Sequence, residues 1–103
     1  MGNIFAGQDP ANYVYRTRSV RLASHVTSIR LEAQFWAILD EIAQDQGMTT
    51  PRFLNRLYEN AVDTHGTVSN FASLLRNACV IYLRQRQAAL EAAPREAAAA
   101  DVA

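Results

Sequence analysis

Residues 25–57 read HVTSIRLEAQFWAILDEIAQDQGMTTPRFLNRL, a short alternating run that passes directly into two helix-period segments separated by one glycine turn. In the alternating part Val26, Ser28 and Arg30 share one side and Thr27, Ile29 and Leu31 the other, because successive strand side chains point to opposite faces. Ile29 and Leu31 therefore face a core, and Ser28 and Arg30 face outward. From Glu32 onward, Phe35, Ile38, Leu39, Ile42 and Ala43 take the spacing of an amphipathic helix, and Gly47 stands where a glycine ends one. Thr49 or Thr50 can cap a second helix with Pro51 in its first turn, where a missing N–H costs nothing. Phe53, Leu54, Leu57, Tyr58, Ala61 and Val62 supply the buried stripe of that helix. A lone strand leaves its backbone groups unpaired on both edges, so its partner strand is most cheaply a second copy of the chain.

Ahead of this stretch, residues 1–17 read as an N-terminal arm that mixes Gly2, Gly7, Pro10 and Asn12 with the isolated apolar residues Ile4, Phe5, Val14 and Tyr15. Phe5 or Tyr15 is expected to dock on the domain or on a partner subunit. Gly2 does not open a myristoylation signal, since Ala6 occupies the position that needs Ser or Thr. Between arm and strand lies an echo, Ser19-Val20-Arg21-Leu22 repeated nine residues later as Ser28-Ile29-Arg30-Leu31. Nine is odd, so a continuous strand would put Leu22 and Leu31 on opposite faces. The chain must bulge, bend or reverse near Ala23-Ser24-His25, and the first copy is either a strand in its own right or an extended arm.

Beyond Val62, Asp63-Thr64-His65-Gly66-Thr67 breaks the helical pattern, and Ser69 or Asn70 can cap a third helix with the stripe Phe71, Leu74, Leu75, Ala78 and Tyr82. Ala78 through Leu83 is apolar at every position, which predicts burial on most sides and hence cover from a partner. An excess patch of this kind also suits a dimer of dimers. The Ala-rich segment 88–103, interrupted by Pro94, predicts a helix fraying between Gln87 and Ala93 and then a flexible tail.

The 103 residues make one domain, and a chain of this size buries only about two-thirds of its unfolded surface, so it gains by adding an interface. The single cysteine, Cys79, lies in an apolar run and reads as a small core residue. His25 and His65 are forty residues apart and lack the paired short spacing of a zinc site, so no metal or cofactor is expected. No membrane-length apolar run and no secretory signal is present, which predicts a cytoplasmic protein. The net charge is zero and every basic residue is arginine, but the charges are segregated. Residues 1–31 carry Arg16, Arg18, Arg21 and Arg30 against Asp9, whereas residues 32–65 carry Glu32, Asp40, Glu41, Asp45, Glu59 and Asp63 against Arg52 and Arg56.

The residues TSIRLEAQFW followed by the GMTT turn resemble the ribbon-helix-helix family of small bacterial DNA-binding proteins, over roughly Arg18 to Arg84. More narrowly, Phe5-Ala6-Gly7-Gln8-Asp9-Pro10 and Asn70-Phe71-Ala72-Ser73-Leu74-Leu75-Arg76 are similar to short proteobacterial members with a FAGQDP-like N-terminus. The resemblance implies a mainly α fold with a short intersubunit antiparallel β-ribbon, here with an additional C-terminal helix, the domain spanning residues 18–87. It assigns the ribbon to the second copy of the echo, next to the first helix.

That resemblance implies a homodimeric transcriptional regulator that inserts its ribbon into the major groove of double-stranded DNA. Val26, Ser28 and Arg30 then read base edges: arginine can donate twice to guanine, serine suits several bases, and valine can touch a thymine methyl. The free N–H groups at Thr49 and Thr50, with Arg52 beside them, form a candidate phosphate site, and Arg18 and Arg21, with Arg16, can follow the flanking backbone. Nothing in the pattern gathers a catalytic set into a pocket, so an enzyme is not expected. The competing reading is a protein-interaction module on the same scaffold, because the body is acidic and the reading face has one long basic side chain.

Overall fold

In the computed structural model the backbone of residues 5–102 and the side chains of residues 5–93 are described, so the readings of Gly2 and Ile4, and the last residue of the tail, lie outside the described residues. The echo resolves into two strands. Strand β1 (Tyr15–Leu22) and strand β2 (His25–Glu32) pair antiparallel in register from Tyr15 with Glu32 to Leu22 with His25. Helices α1 (Ala33–Asp45), α2 (Thr50–His65) and α3 (Phe71–Val102) follow.

The ribbon is thus antiparallel and the fold mainly helical with a third helix, as expected, but the partner of β2 is β1 of the same chain. The physical reason is local. A two-residue turn at Ala23 and Ser24 joins the strands at far lower entropic cost than recruiting a second chain. Ala23 adopts φ +56°, the left-handed region, and its N–H donates to Asn55 Oδ1 at 2.7 Å, which fixes the tip of the hairpin to α2. At the open end the Ala33 N–H donates to Val14 O at 2.8 Å. The arm is correspondingly shorter than residues 1–17: β1 begins at Tyr15, and Pro10–Asn12 form a 3-10 turn capped by Asp9.

Even spacing on each strand puts Val20, Leu22, Ile29 and Leu31 on one face, against the helices. Ile29 and Leu31 are 5% and 0% exposed within a single chain, so their burial does not call for a second copy. They join Trp36, Leu39, Ile42 and Ala43 of α1, Phe53 and Leu54 of α2, and Leu75 and Cys79 of α3 in one core. Burying Ile29 and Leu31 stabilises the fold by about 1.5–3 kcal/mol each.

Helix α1 stops at Gln46 with Gly47 at φ +69°, and α2 stops at Gly66 at φ +83°. Thr49 Oγ1 accepts from the Arg52 N–H at the start of α2, and Asn70 Oδ1 accepts from the Ser73 N–H at the start of α3. The buried stripe of α1 is turned by about one residue from the predicted one, because Trp36 enters the core and Phe35 and Ile38 lie at its margin.

Helix α3 departs from expectation twice. It continues to Val102, past the predicted fraying point and through Pro94. Alanine has the highest helix propensity, and proline removes one hydrogen bond of the ladder without ending it here. Within Ala78 to Leu83 only Cys79 is fully buried, whereas Val80, Ile81 and Leu83 are exposed, Ile81 by 55%. Side-chain bonds carry part of the docking instead. Arg76 donates to Glu32 Oε1 from Nε and Nη2 at 3.1 and 2.9 Å, Tyr82 donates to Asp45, and Arg86 pairs with Glu41.

Candidate nucleic-acid interface

Register decides which hairpin side chains share a surface. Opposed residues lie on the same face, so the side away from the helices carries three successive rungs: Thr17 with Arg30, Ser19 with Ser28, and Arg21 with Val26. All six are exposed. The surface is polar, with one guanidinium at each end and a pair of serines between. Val26, Ser28 and Arg30, expected to read bases, are brought together here as one row. The second row comes from β1, where sequence reasoning does not single out Thr17 and Ser19 and assigns Arg21 to phosphate.

Arg30 is held in a defined place. Its Cζ lies 4.3 Å from the ring centroid of Tyr15, which sits next to the first rung on the same face. Tyr15 and Phe5 are both exposed, so neither docks into this subunit's core; Tyr15 acts as a rest for the guanidinium. Sequence reasoning places Tyr15 in the arm because the hairpin is not visible to it. The available signal is parity with Thr17, Ser19 and Arg21.

Arg18 has the opposite fate. One residue removed from Thr17, it points to the helix side and donates from Nη1 and Nη2 to both oxygens of Asp40 at 2.8 and 3.0 Å. Its Cζ also lies 4.5 Å from the Trp36 ring centroid, and Trp36 Nε1–H donates to Arg16 O at 2.9 Å. The Arg18 hydrogen bonds hold the Asp40 carboxyl below its ordinary range against the opposing effect of burial, and the same ion pair raises the Arg18 guanidinium further. A guanidinium spent on a bidentate carboxylate and an indole is not free for a phosphate. Arg18 thus leaves the set of backbone-tracking residues.

Thr50 is drawn into the same cluster, since its hydroxyl donates to Asp40 Oδ1 at 2.7 Å. Thr49 retains the capping role, with Arg52 exposed in the first turn of α2 and Arg56 one turn on. Both flank Asn55, which grips the hairpin tip. Among the described residues none of Arg16, Arg21, Arg30, Arg52, Arg56 and Arg84 is in an ion pair. By contrast, Glu32, Asp40 and Glu41 each face an arginine, and the Arg76 hydrogen bonds hold Glu32 below the usual carboxylate range. Much of the acidity of the body is therefore neutralised inside the fold.

The remaining chemical groups are quiet. Cys79 is buried, and desolvation pushes its thiol up to about 11, which keeps it protonated and unreactive near neutral pH. Tyr82 is pushed up to about 12 by its hydrogen bond to the Asp45 carboxylate. No cluster of three or more His, Cys, Asp or Glu suited to a metal ion occurs among the described residues. Nor, among these, is any helix long and apolar enough to cross a membrane.

The ribbon-helix-helix domain family matches the chain over residues 15–83, from the first residue of β1 to the middle of α3. The solved structure of an uncharacterized protein from Bordetella pertussis Tohama I is similar with a TM-score of 0.81 and 37% identity, over 84% of this chain and 70% of that one. No curated protein matches the chain.

Proposed function

Because the chain belongs to the ribbon-helix-helix domain family, whose members are typically DNA-binding regulators, we propose that it is a sequence-specific DNA-binding protein that lays the outer face of its hairpin in the major groove. The observation that carries this reading is the contrast between the faces. The inner face sinks Val20, Leu22, Ile29 and Leu31 into the core and ties Arg18 to Asp40, whereas the outer face offers hydroxyls and two guanidiniums that are in no ion pair among the described residues, on a two-stranded ribbon of the kind a major groove admits. Val26, Ser28 and Arg30 read base edges, and Thr49 and Arg52 at the start of α2 anchor a phosphate. Arg21, at the tip of the hairpin, lies on the reading face rather than beside it.

The same reading includes a homodimer. Its interface draws on the exposed apolar residues Val80, Ile81 and Leu83 around α3, and a second copy can also join the one edge that each strand of the two-stranded hairpin leaves unpaired. Two copies double the grip on DNA. Sedimentation of the purified protein at micromolar concentration should give the mass of two chains, and four if dimers pair further.

Gel shifts with duplexes recovered by repeated selection from random sequence test the DNA reading. Wild-type protein should enrich a defined site. Arg52→Gln should weaken binding to all sequences alike and make the salt dependence shallower by about one unit for each phosphate it no longer neutralises. Recovery of no site from wild type would overturn the reading in favour of a protein-interaction module on the same scaffold.

A further inference from the structure

The hairpin carries a hidden symmetry. In an antiparallel pair, a two-fold axis through any rung exchanges the strands. Ser19 is opposed to Ser28, and an axis through that rung maps each β1 residue onto the β2 residue nine positions later. Nine is also the period of the echo. Val20 therefore maps onto Ile29, Arg21 onto Arg30, and Leu22 onto Leu31, so inner apolar residues superpose on inner ones and outer arginines on outer ones. On the outer face the exchange also maps Thr17 onto Val26, two side chains of nearly identical shape that differ by one hydroxyl.

We propose that the hairpin of one chain is a complete pseudo-two-fold reading element that takes a short, nearly palindromic duplex segment, with Arg21 and Arg30 each on a guanine at opposite ends and on opposite DNA strands. The inference rests on the DNA-binding reading above. It differs from a ribbon shared between two subunits, in which Arg30 alone, taken twice, would supply both ends. The rungs that bear the two arginines are four residues apart along the strands. At about 3.4 Å per residue the separation is about 14 Å, or about four steps of a duplex that rises about 3.4 Å per base pair. The serine pair then lies over the centre of the segment, where hydroxyls tolerate several bases. Thr17 and Val26 break the symmetry, since a hydroxyl can accept or donate where valine favours a thymine methyl.

Selection from random duplex with wild-type full-length protein, followed by the same selection with Arg21→Ala and with Arg30→Ala, tests the proposal. Wild type should enrich an inverted element with guanines about four base pairs apart on opposite strands. Each variant should relax preference at one end only, by about 5- to 150-fold against the wrong base, with its melting temperature unchanged. Arg21→Lys, which keeps the charge but loses the bidentate fork, should hold non-specific affinity and still lose the guanine. Thr17→Val should make the two ends alike. If Arg21→Ala and Arg21→Lys keep the full wild-type preference while Arg30→Ala relaxes both ends, the ribbon is shared between chains and the proposal falls, though DNA binding stands. If wild type selects no site, both fall together.

Discussion

Arg18 and Arg30 are both DNA-contacting candidates by sequence and lie one on each strand of the hairpin, yet the two faces of the ribbon hold them differently. Arg18, on the helix side, closes a cluster with Asp40, Thr50 and Trp36. Arg30, on the far side, lies against the face of Tyr15 and keeps its hydrogen-bond donors free of any carboxylate among the described residues. A shift of one position in parity decides whether a guanidinium is tied to a carboxylate of the fold or left on the open face. In this hairpin, side-chain parity rather than residue type separates the two.

The contrast breaks most severely if a charge is placed on the inner face. Ile29→Lys should bury an unpaired ammonium in the core at a cost of several kcal/mol and leave the chain unfolded by circular dichroism. Ser28→Lys, next to it on the outer face, should change stability by less than about 0.5 kcal/mol. Equal effects at the two positions would mean that the faces are not distinct.

A smaller effect is expected at the ion pair. Arg18 and Asp40 are both more than a third exposed, so solvent screens them and Arg18→Ala should cost about 1 kcal/mol or less. The pH dependence has a fixed sign. Asp40 and Glu32 have folded-state values below their unfolded ones, so their stabilisation is full above the ordinary carboxylate pKa of about 4 and is lost as pH falls towards the depressed values. Melting followed from about pH 6 to about pH 2 should show a loss in wild type that Asp40→Asn reduces.

The smallest change sharpens the origin of the hairpin. Ala23 holds φ +56° with a Cβ, so Ala23→Gly should relieve strain and stabilise the chain by about 0.5 kcal/mol, after the extra freedom glycine gives the unfolded state. A cysteine pair at Ser19 and Ser28, directly opposed in the ribbon, should oxidise within one chain and run as a monomer on a denaturing gel. A crosslinked dimer would show strands exchanged between subunits.

Much of this is legible in the sequence, and the failures have definite causes. The helical stripes and the capping residues Thr49 and Asn70 follow from periodicity and local chemistry, which act over a few residues. The parity of β2 is readable for the same reason. The hairpin is not, because Leu22-Ala23-Ser24-His25 lacks the Asn-Gly or Gly that ordinarily marks a two-residue turn, and because Asn55, which steadies it, is 32 positions away. Without that turn β1 looks like an arm, so Tyr15, Thr17 and Ser19 are not placed on the outer face and Arg18 cannot be told from Arg21. Trp36 escapes because Phe35 and Ile38 offer an equally regular stripe. Only the three-dimensional course of β1, whose Arg16 carbonyl accepts from the indole, distinguishes them.

The central claim, that the outer face reads DNA while the inner face holds the fold, is tested most directly by carrying Arg18→Ala and Arg30→Ala through both thermal melting and selection from random duplex. Arg18→Ala should lower the melting temperature and recover the wild-type sequence. Arg30→Ala should melt with wild type and recover a sequence relaxed at a guanine. The account is contradicted if Arg18→Ala changes the selected sequence while Arg30→Ala binds the wild-type site as tightly and as selectively as before.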